Sequence, residues 1–226
     1  MNISTGGFLI LTVMLSCSLV GCNDDAPPWM ADNKKVDVDN ADPQPPKTPE
    51  PAKATDEGPS PSPIDMDKFR EAALNGKIED IKKSLAAGAK VNDQDPDGRT
   101  ALMTAAFNGH TPVVKLLLEH KAKVDLRDER QLTALIYAAS GPNAETVKTL
   151  IEAGSDINAI DNIEGFTSLM YAAAEGQAEV VKVLLENGAR KDIKDKDGET
   201  ARDFAASKGH AAIVGMLDAG SAKKSP

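Results

Sequence analysis

One phrase returns four times along the chain. Thr100 opens TALMTAAFNGHTPVVKLLLEH, Thr133 opens TALIYAAS, Thr167 opens TSLMYAAAEGQAEVVKVLLENGA and Thr200 opens TARDFAASKGHAAIVGML. The four threonines are spaced 33, 34 and 33 residues apart. A fixed period of this length constrains the fold more than any other feature. It specifies one small unit that cannot bury its own apolar surface and is therefore stacked on copies of itself.

Each unit reads as two short helices. In the second, Ala101 to Asn108 forms a helix of small residues, and Ala105 and Ala106 let a neighbour approach closely. Gly109 suits the left-handed position after a helix, Thr111 an N-cap and Pro112 the first helical position. Val113, Val114, Leu116, Leu117 and Leu118 then make a helix too apolar to stand alone. The segments Val91–Arg99, Lys121–Leu132, Ile157–Phe166 and Ile193–Glu199 are polar, and three of them carry Asp-Gly or Glu-Gly, which is hairpin-turn chemistry.

Helix, tight turn, helix and hairpin at this period resemble the ankyrin repeat. The residues that carry the likeness are Asp97-Gly98-Arg99-Thr100-Ala101-Leu102, Asn108-Gly109-His110, Val113-Val114-Lys115-Leu116-Leu117-Leu118 and Asn187-Gly188-Ala189. The resemblance implies an all-α solenoid of about five helix-turn-helix units joined by β-hairpin-like loops over residues 65–218, with a short tail at 219–226. The family's Thr-Pro-Leu-His becomes Thr-Ala-Leu-Met, Thr-Ala-Leu-Ile, Thr-Ser-Leu-Met and Thr-Ala-Arg-Asp. The lost Pro and His are expected to weaken the bonds between units. Ser140-Gly141-Pro142 predicts a reshaped turn in the third unit, and one extra residue near Ile160–Glu164 lengthens one hairpin. The degenerate first unit, Asp67–Asp95, and the last, Asp197–Asp218, read as polar-faced caps.

The segment ahead of the repeats has a different character. Phe8 to Val20 is an apolar run of signal-peptide length, too short to span a bilayer as a mature helix. Leu19-Val20-Gly21-Cys22 resembles the bacterial lipoprotein processing box. That resemblance implies removal of residues 1–21 and lipidation of Cys22, although the n-region has no Lys or Arg; an ordinary signal with an incidental Cys22 is the alternative. The other cysteine, Cys17, leaves with the signal, so the mature protein has no intrachain disulfide. Residues 22–64 hold ten of the fourteen prolines and predict a disordered linker. Its roughly 40 residues, at ~3.1 Å each, reach on the order of 120 Å when extended. The expected location is the bacterial cell envelope, facing the periplasm, on the outer rather than the inner membrane.

Charge and motif exclude several functions. The formal net charge is −9 and no basic stripe stands out, so nucleic acid is not an expected partner. His110, His120 and His210 have no metal-ligand spacing. Asp93-Gln94-Asp95-Pro96-Asp97-Gly98 matches the start of a calcium loop, but Thr104 stands where that loop needs a bidentate glutamate, so it reads as a turn. No nucleophile with a base, no phosphate loop and no paired carboxylates can be argued. The expectation is a monomer that is not an enzyme, with no cofactor, no metal and no small-molecule substrate.

In ankyrin arrays the partner usually meets the hairpin tips and the exposed end of each first helix. By register, the resemblance implies a protein-binding face containing Arg99, Phe107, Asn108, Arg130, Leu132, Ile163, Phe166 and Glu175. Phe107, Leu132, Ile163 and Phe166 are apolar where polarity would be harmless, which fits either an interface or packing within the repeat. The expected function is binding of another protein, such as a toxin aimed at the envelope that an immunity protein would hold. A scaffold for a periplasmic stress-defence enzyme and an envelope-structure protein are the alternatives.

Overall fold

The computed structural model describes residues 64–219. The signal segment, Cys22, the Pro-rich linker up to residue 63 and the tail from residue 220 lie outside the described residues. Within them the protein forms five helix pairs: α1 Met66–Leu74 with α2 Ile78–Ala86, α3 Ala101–Phe107 with α4 Thr111–Glu119, α5 Ala134–Ala139 with α6 Ala144–Glu152, α7 Ser168–Ala174 with α8 Ala178–Glu186, and α9 Ala201–Ser207 with α10 Ala211–Asp218. First helices pack on first helices, α1 to α3 to α5 to α7 to α9, and second helices form a parallel row from α2 to α10.

The repeated threonine starts each first helix. The hydroxyls of Thr100, Thr133 and Thr167 accept from the backbone N–H groups of Met103, Ile136 and Met170 at 3.3, 3.4 and 3.2 Å. At the fourth place of the phrase, the Met103 and Met170 sulfurs accept the Thr100 and Thr167 N–H groups at 3.4 Å. In the last unit the Asp203 carboxylate does this for Thr200 at 2.8 Å. The second helix of the second unit, α4, starts one residue earlier than the sequence suggests. His110, not Thr111, is the N-cap of α4, because Thr111 is already helical and its hydroxyl lies 2.6 Å from that of Thr146 in the next unit.

The stacking positions are apolar in the middle and charged at the end. Leu102, Leu135 and Leu169 recur at the same place and are buried. Full burial of one such leucine contributes about 1.5–3 kcal/mol. In α9 that place is taken by exposed Arg202, which pairs with Asp218 at 2.6 Å, so the last unit presents a polar face.

The turn between paired helices carries a further set of ties. The Asn108 amide donates to the Leu74 carbonyl at 2.7 Å, and His110 Nε2 donates to the same oxygen at 2.8 Å. Asn143 donates to the Phe107 carbonyl at 3.1 Å, and His210 Nε2 to that of Ala174 at 3.2 Å. Each of these bonds crosses one unit boundary. Asn143 thus does in the third unit what histidine does in the second and fifth. The third turn is reshaped, as the sequence suggests: Pro142 stands where Gly109 has φ 67, a conformation its ring forbids.

Hairpins project beside the first helices. Each is opened by an aspartate whose N–H closes the loop: Asp95 on Arg99, Asp128 on Leu132, Asp161 on Phe166 and Asp195 on Glu199, at 3.0, 3.2, 3.1 and 3.0 Å. The extra residue falls inside the third loop, between Asp161 and Thr167. Neighbouring hairpins are joined by backbone bonds from Glu129 to Asp97, Asn162 to Arg130 and Lys196 to Glu164. At the donor position of the first hairpin stands Pro96, which has no N–H to leave unpaired.

Candidate protein-binding face

The face formed by the hairpins and the first helices rests on two buried carboxylates. Asp128 Oδ1 accepts the N–H groups of Arg130 and Leu132 at 2.9 and 2.8 Å, and its Oδ2 accepts the Tyr137 hydroxyl at 2.7 Å. Asp161 Oδ1 accepts three N–H groups, from Ile163, Glu164 and Gly165, at 3.0, 2.9 and 2.9 Å, and Oδ2 accepts the Tyr171 hydroxyl at 2.9 Å. Both aspartates are 4% exposed, and each meets the demand of a buried polar group by hydrogen-bonding through both oxygens. Burial first, and then the facing carboxylate, push both tyrosine hydroxyls well above their usual range, so they remain donors.

Each tyrosine thereby ties a hairpin to a first helix, and its ring continues across the face. The Phe107 ring meets the edge of Tyr137 at 6.1 Å. Phe166 meets Tyr171 at 5.6 Å and Phe204 at 4.9 Å, both edge-on. Such pairs add about 0.5–1.5 kcal/mol beyond the area they bury. Arg130 reaches over Tyr137, donating from Nη2 to the hydroxyl at 3.1 Å, with Nε 3.8 Å from Asp128 Oδ2. The result is a strip across four units in which half-buried Phe107 and Phe204 flank the guanidinium and buried Tyr137, Phe166 and Tyr171 lie beneath.

The residues expected from sequence divide into three groups. Phe107 and Arg130 lie on the strip, Phe107 half-buried and the Arg130 side chain 40% exposed. Ile163 and Glu175 are half-buried on the same elements, the hairpin and the end of α7. Burial first pushes the Glu175 carboxyl above the usual glutamate range, which Lys208 and His210 partly offset. Arg99 is held by Asp95 at 2.8 Å and Asp97 at 2.5 Å, with its side chain 14% exposed, and exposed Asn108 spends its amide on Leu74.

Leu132 and Phe166, which register places on the binding face, pack within the repeat instead. They are 2% and 7% exposed, because the hairpin folds both side chains inward against the helices, so they support the face from beneath. Tyr137, Tyr171, Phe204, Asp128 and Asp161 were missed by the sequence reading. The signal was present: each aromatic falls four residues after a repeated threonine, and each aspartate opens the hairpin before it.

Among the described residues, no three His, Cys, Asp or Glu side chains come together as metal ligands would. An open groove of about 540 Å³ beside Leu118, Lys121, Val124 and Ala153 brings together no nucleophile and base.

A comparison with protein families finds ankyrin repeats over residues 69–161 and 143–224. A comparison with curated proteins gives no match. Ankyrin repeats act in general through protein–protein interaction, and the geometry above provides an open face rather than an enclosed pocket. The chain belongs to the ankyrin-repeat family.

Proposed function

We propose that this is an exported protein, lipid-anchored at Cys22 in a bacterial envelope and facing the periplasm, that grips one protein partner with its hairpin and first-helix face. The observation that carries the binding reading is the strip itself. Half-buried Phe107 and Phe204 stand on either side of Arg130, whose side chain is 40% exposed, and buried Tyr137, Phe166 and Tyr171 hold those two rings from beneath. Aromatic and arginine anchors of this kind dominate interface energies. The anchor reading rests on Leu19-Val20-Gly21-Cys22 after an apolar run. A Pro-rich tether raises the local concentration of a modest binder at one membrane. A protein that must intercept a toxin reaching the envelope gains most from that arrangement, so an immunity protein is our first form of the reading.

The test is an affinity capture from envelope extracts with the full-length protein and a Phe107→Ala/Phe204→Ala variant, with circular dichroism to show that both are folded. A partner held by the first and lost by the second is expected. A partner held equally by both would move the site elsewhere. For the anchor, labelled palmitate should enter the wild type and not Cys22→Ser; equal labelling of both would refute lipidation at that residue.

A further inference from the structure

We propose that Arg130 is the anchor of this face, and that it takes an Asp or Glu side chain of the partner set among apolar residues. The proposal rests on the binding reading above and adds the chemistry of the contact.

The hairpins supply the first observation. The carbonyls of Asp97, Arg130 and Glu164 occupy one place in the ladder that joins successive hairpins, and Asp197 stands two residues after Asp195 as Arg130 does after Asp128. The side chains at this place are therefore Asp, Arg, Glu and Asp. One unit alone reverses the charge, and it is the unit at the middle of the strip.

The state of the guanidinium is the second. Arginine has five N–H donors. Among the described residues the Arg130 guanidinium donates one hydrogen bond, to Tyr137. The nearest carboxylate, Asp128, is 3.8 Å away and already takes two backbone N–H groups and the tyrosine hydroxyl. Arg99 differs: Asp95 and Asp97 both hold it. Arg130 is thus tied to Tyr137 by one donor while its side chain stays 40% exposed. The guanidinium fork matches a carboxylate in a two-bond geometry.

The backbone gives the third. Gln131, next to Arg130, has φ 61, where the other hairpins have Gly98, Gly165 and Gly198. A non-glycine residue in this conformation stores strain beside the one charge that differs.

The surroundings choose the occupant. Half-buried Phe107 and Phe204 lie on either side of Arg130, so a partner segment that touches both continues past it. That favours a side-chain carboxylate over a terminal one. Glu129 and Glu164 lie on the same hairpin row with no ion pair among the described residues, so they repel a partner acid everywhere except where Arg130 meets it directly.

The experiment uses the full-length protein in its own cells with a photo-crosslinking benzoylphenylalanine in place of exposed Glu129. The adduct is identified by mass spectrometry, and affinity for that partner is measured with Arg130→Gln and Arg130→Glu. Gln removes the charge and the fork, so the urea midpoint is measured beside affinity to separate a lost partner contact from a lost tie to Tyr137 and Asp128. We expect the cross-linked peptide to contain an Asp or Glu. We expect Arg130→Gln to bind at least about tenfold more weakly with an unchanged urea midpoint, and Arg130→Glu more weakly still. Changing the partner's acid to Arg should restore binding to Arg130→Glu. Binding of Arg130→Gln within twofold of wild type, or an adduct at the partner's terminal carboxylate or without an acid, overturns the proposal while leaving the face intact. A second probe in place of exposed Lys182 on α8 completes the test: no adduct from position 129 together with an adduct from position 182 overturns the binding reading as well.

Discussion

Lys121 should be a site where removing a side chain makes the protein more stable. It follows α4 with φ 68, in the left-handed region. The three sibling positions hold Gly88, Gly154 and Gly188 with φ 97, 93 and 88. The unit fixes this conformation because the Lys121 and Ala122 N–H groups close the helix end on the Leu118 and Leu117 carbonyls, both at 2.9 Å. An L-residue held there costs roughly 1–2 kcal/mol. Glycine avoids that strain but loses about 0.5–1 kcal/mol through the extra freedom of the unfolded state. The Lys121 side chain is exposed and makes no hydrogen bond among the described residues, so little else changes. Lys121→Gly should therefore raise stability by about 0.5–1 kcal/mol, worth about 1–4 °C in a domain of this size. Urea unfolding followed by circular dichroism measures it, with Lys121→Ala as control. Alanine removes the same side chain and keeps the strain. The reasoning is refuted if glycine is no more stable than alanine, or if it falls below wild type.

Three further outcomes follow from the same geometry. The Ser168 and Ser155 hydroxyls are buried with no hydrogen-bond partner, at places where sibling units carry Ala101, Ala134 and Ala201 or Ala89, Ala122 and Ala189; Ser168→Ala should be neutral to about 1 kcal/mol stabilising by urea midpoint. Tyr137→Phe leaves one oxygen of buried Asp128 without its hydroxyl donor and should cost about 1–3 kcal/mol, whereas a loss near zero would show that the Asp128–Tyr137 bond is not formed. Burial raises the Glu175 carboxyl, so the stability of its protonated form is present below the unfolded glutamate range and lost as pH rises through the folded value. Glu175→Gln should accordingly be more stable than wild type at neutral pH, with the gap closing on acidification; a gap that widens toward acid would reverse the sign of the argument.

What the sequence made legible was whatever repeats with the period. The threonine N-caps, the glycine turns and the leucine stacking positions recur every 33 or 34 residues, so each copy corroborates the others. The reshaped third turn was legible for a complementary reason: proline is forbidden a conformation that glycine adopts in the neighbours. The face was harder to read. Leu132 and Phe166 occupy hairpin positions that register alone marks as outward, and only the fold of each loop around its aspartate turns them inward. Tyr137 and Tyr171 were hidden within Tyr-Ala-Ala, which reads as helix packing until the hydroxyl's partner is seen on a different element. Periodicity tells which residues share a place; it does not tell which of them touch across units.

The central claim is that a protein partner lies on the hairpin and first-helix face. Amide hydrogen exchange of the full-length protein, alone and with its captured partner, tests this most directly. Protection should rise in the hairpins 95–99, 128–132, 161–166 and 195–199 and at the ends of α3 and α7, and stay unchanged in α4, α6 and α8. Protection confined to the second helices would contradict it.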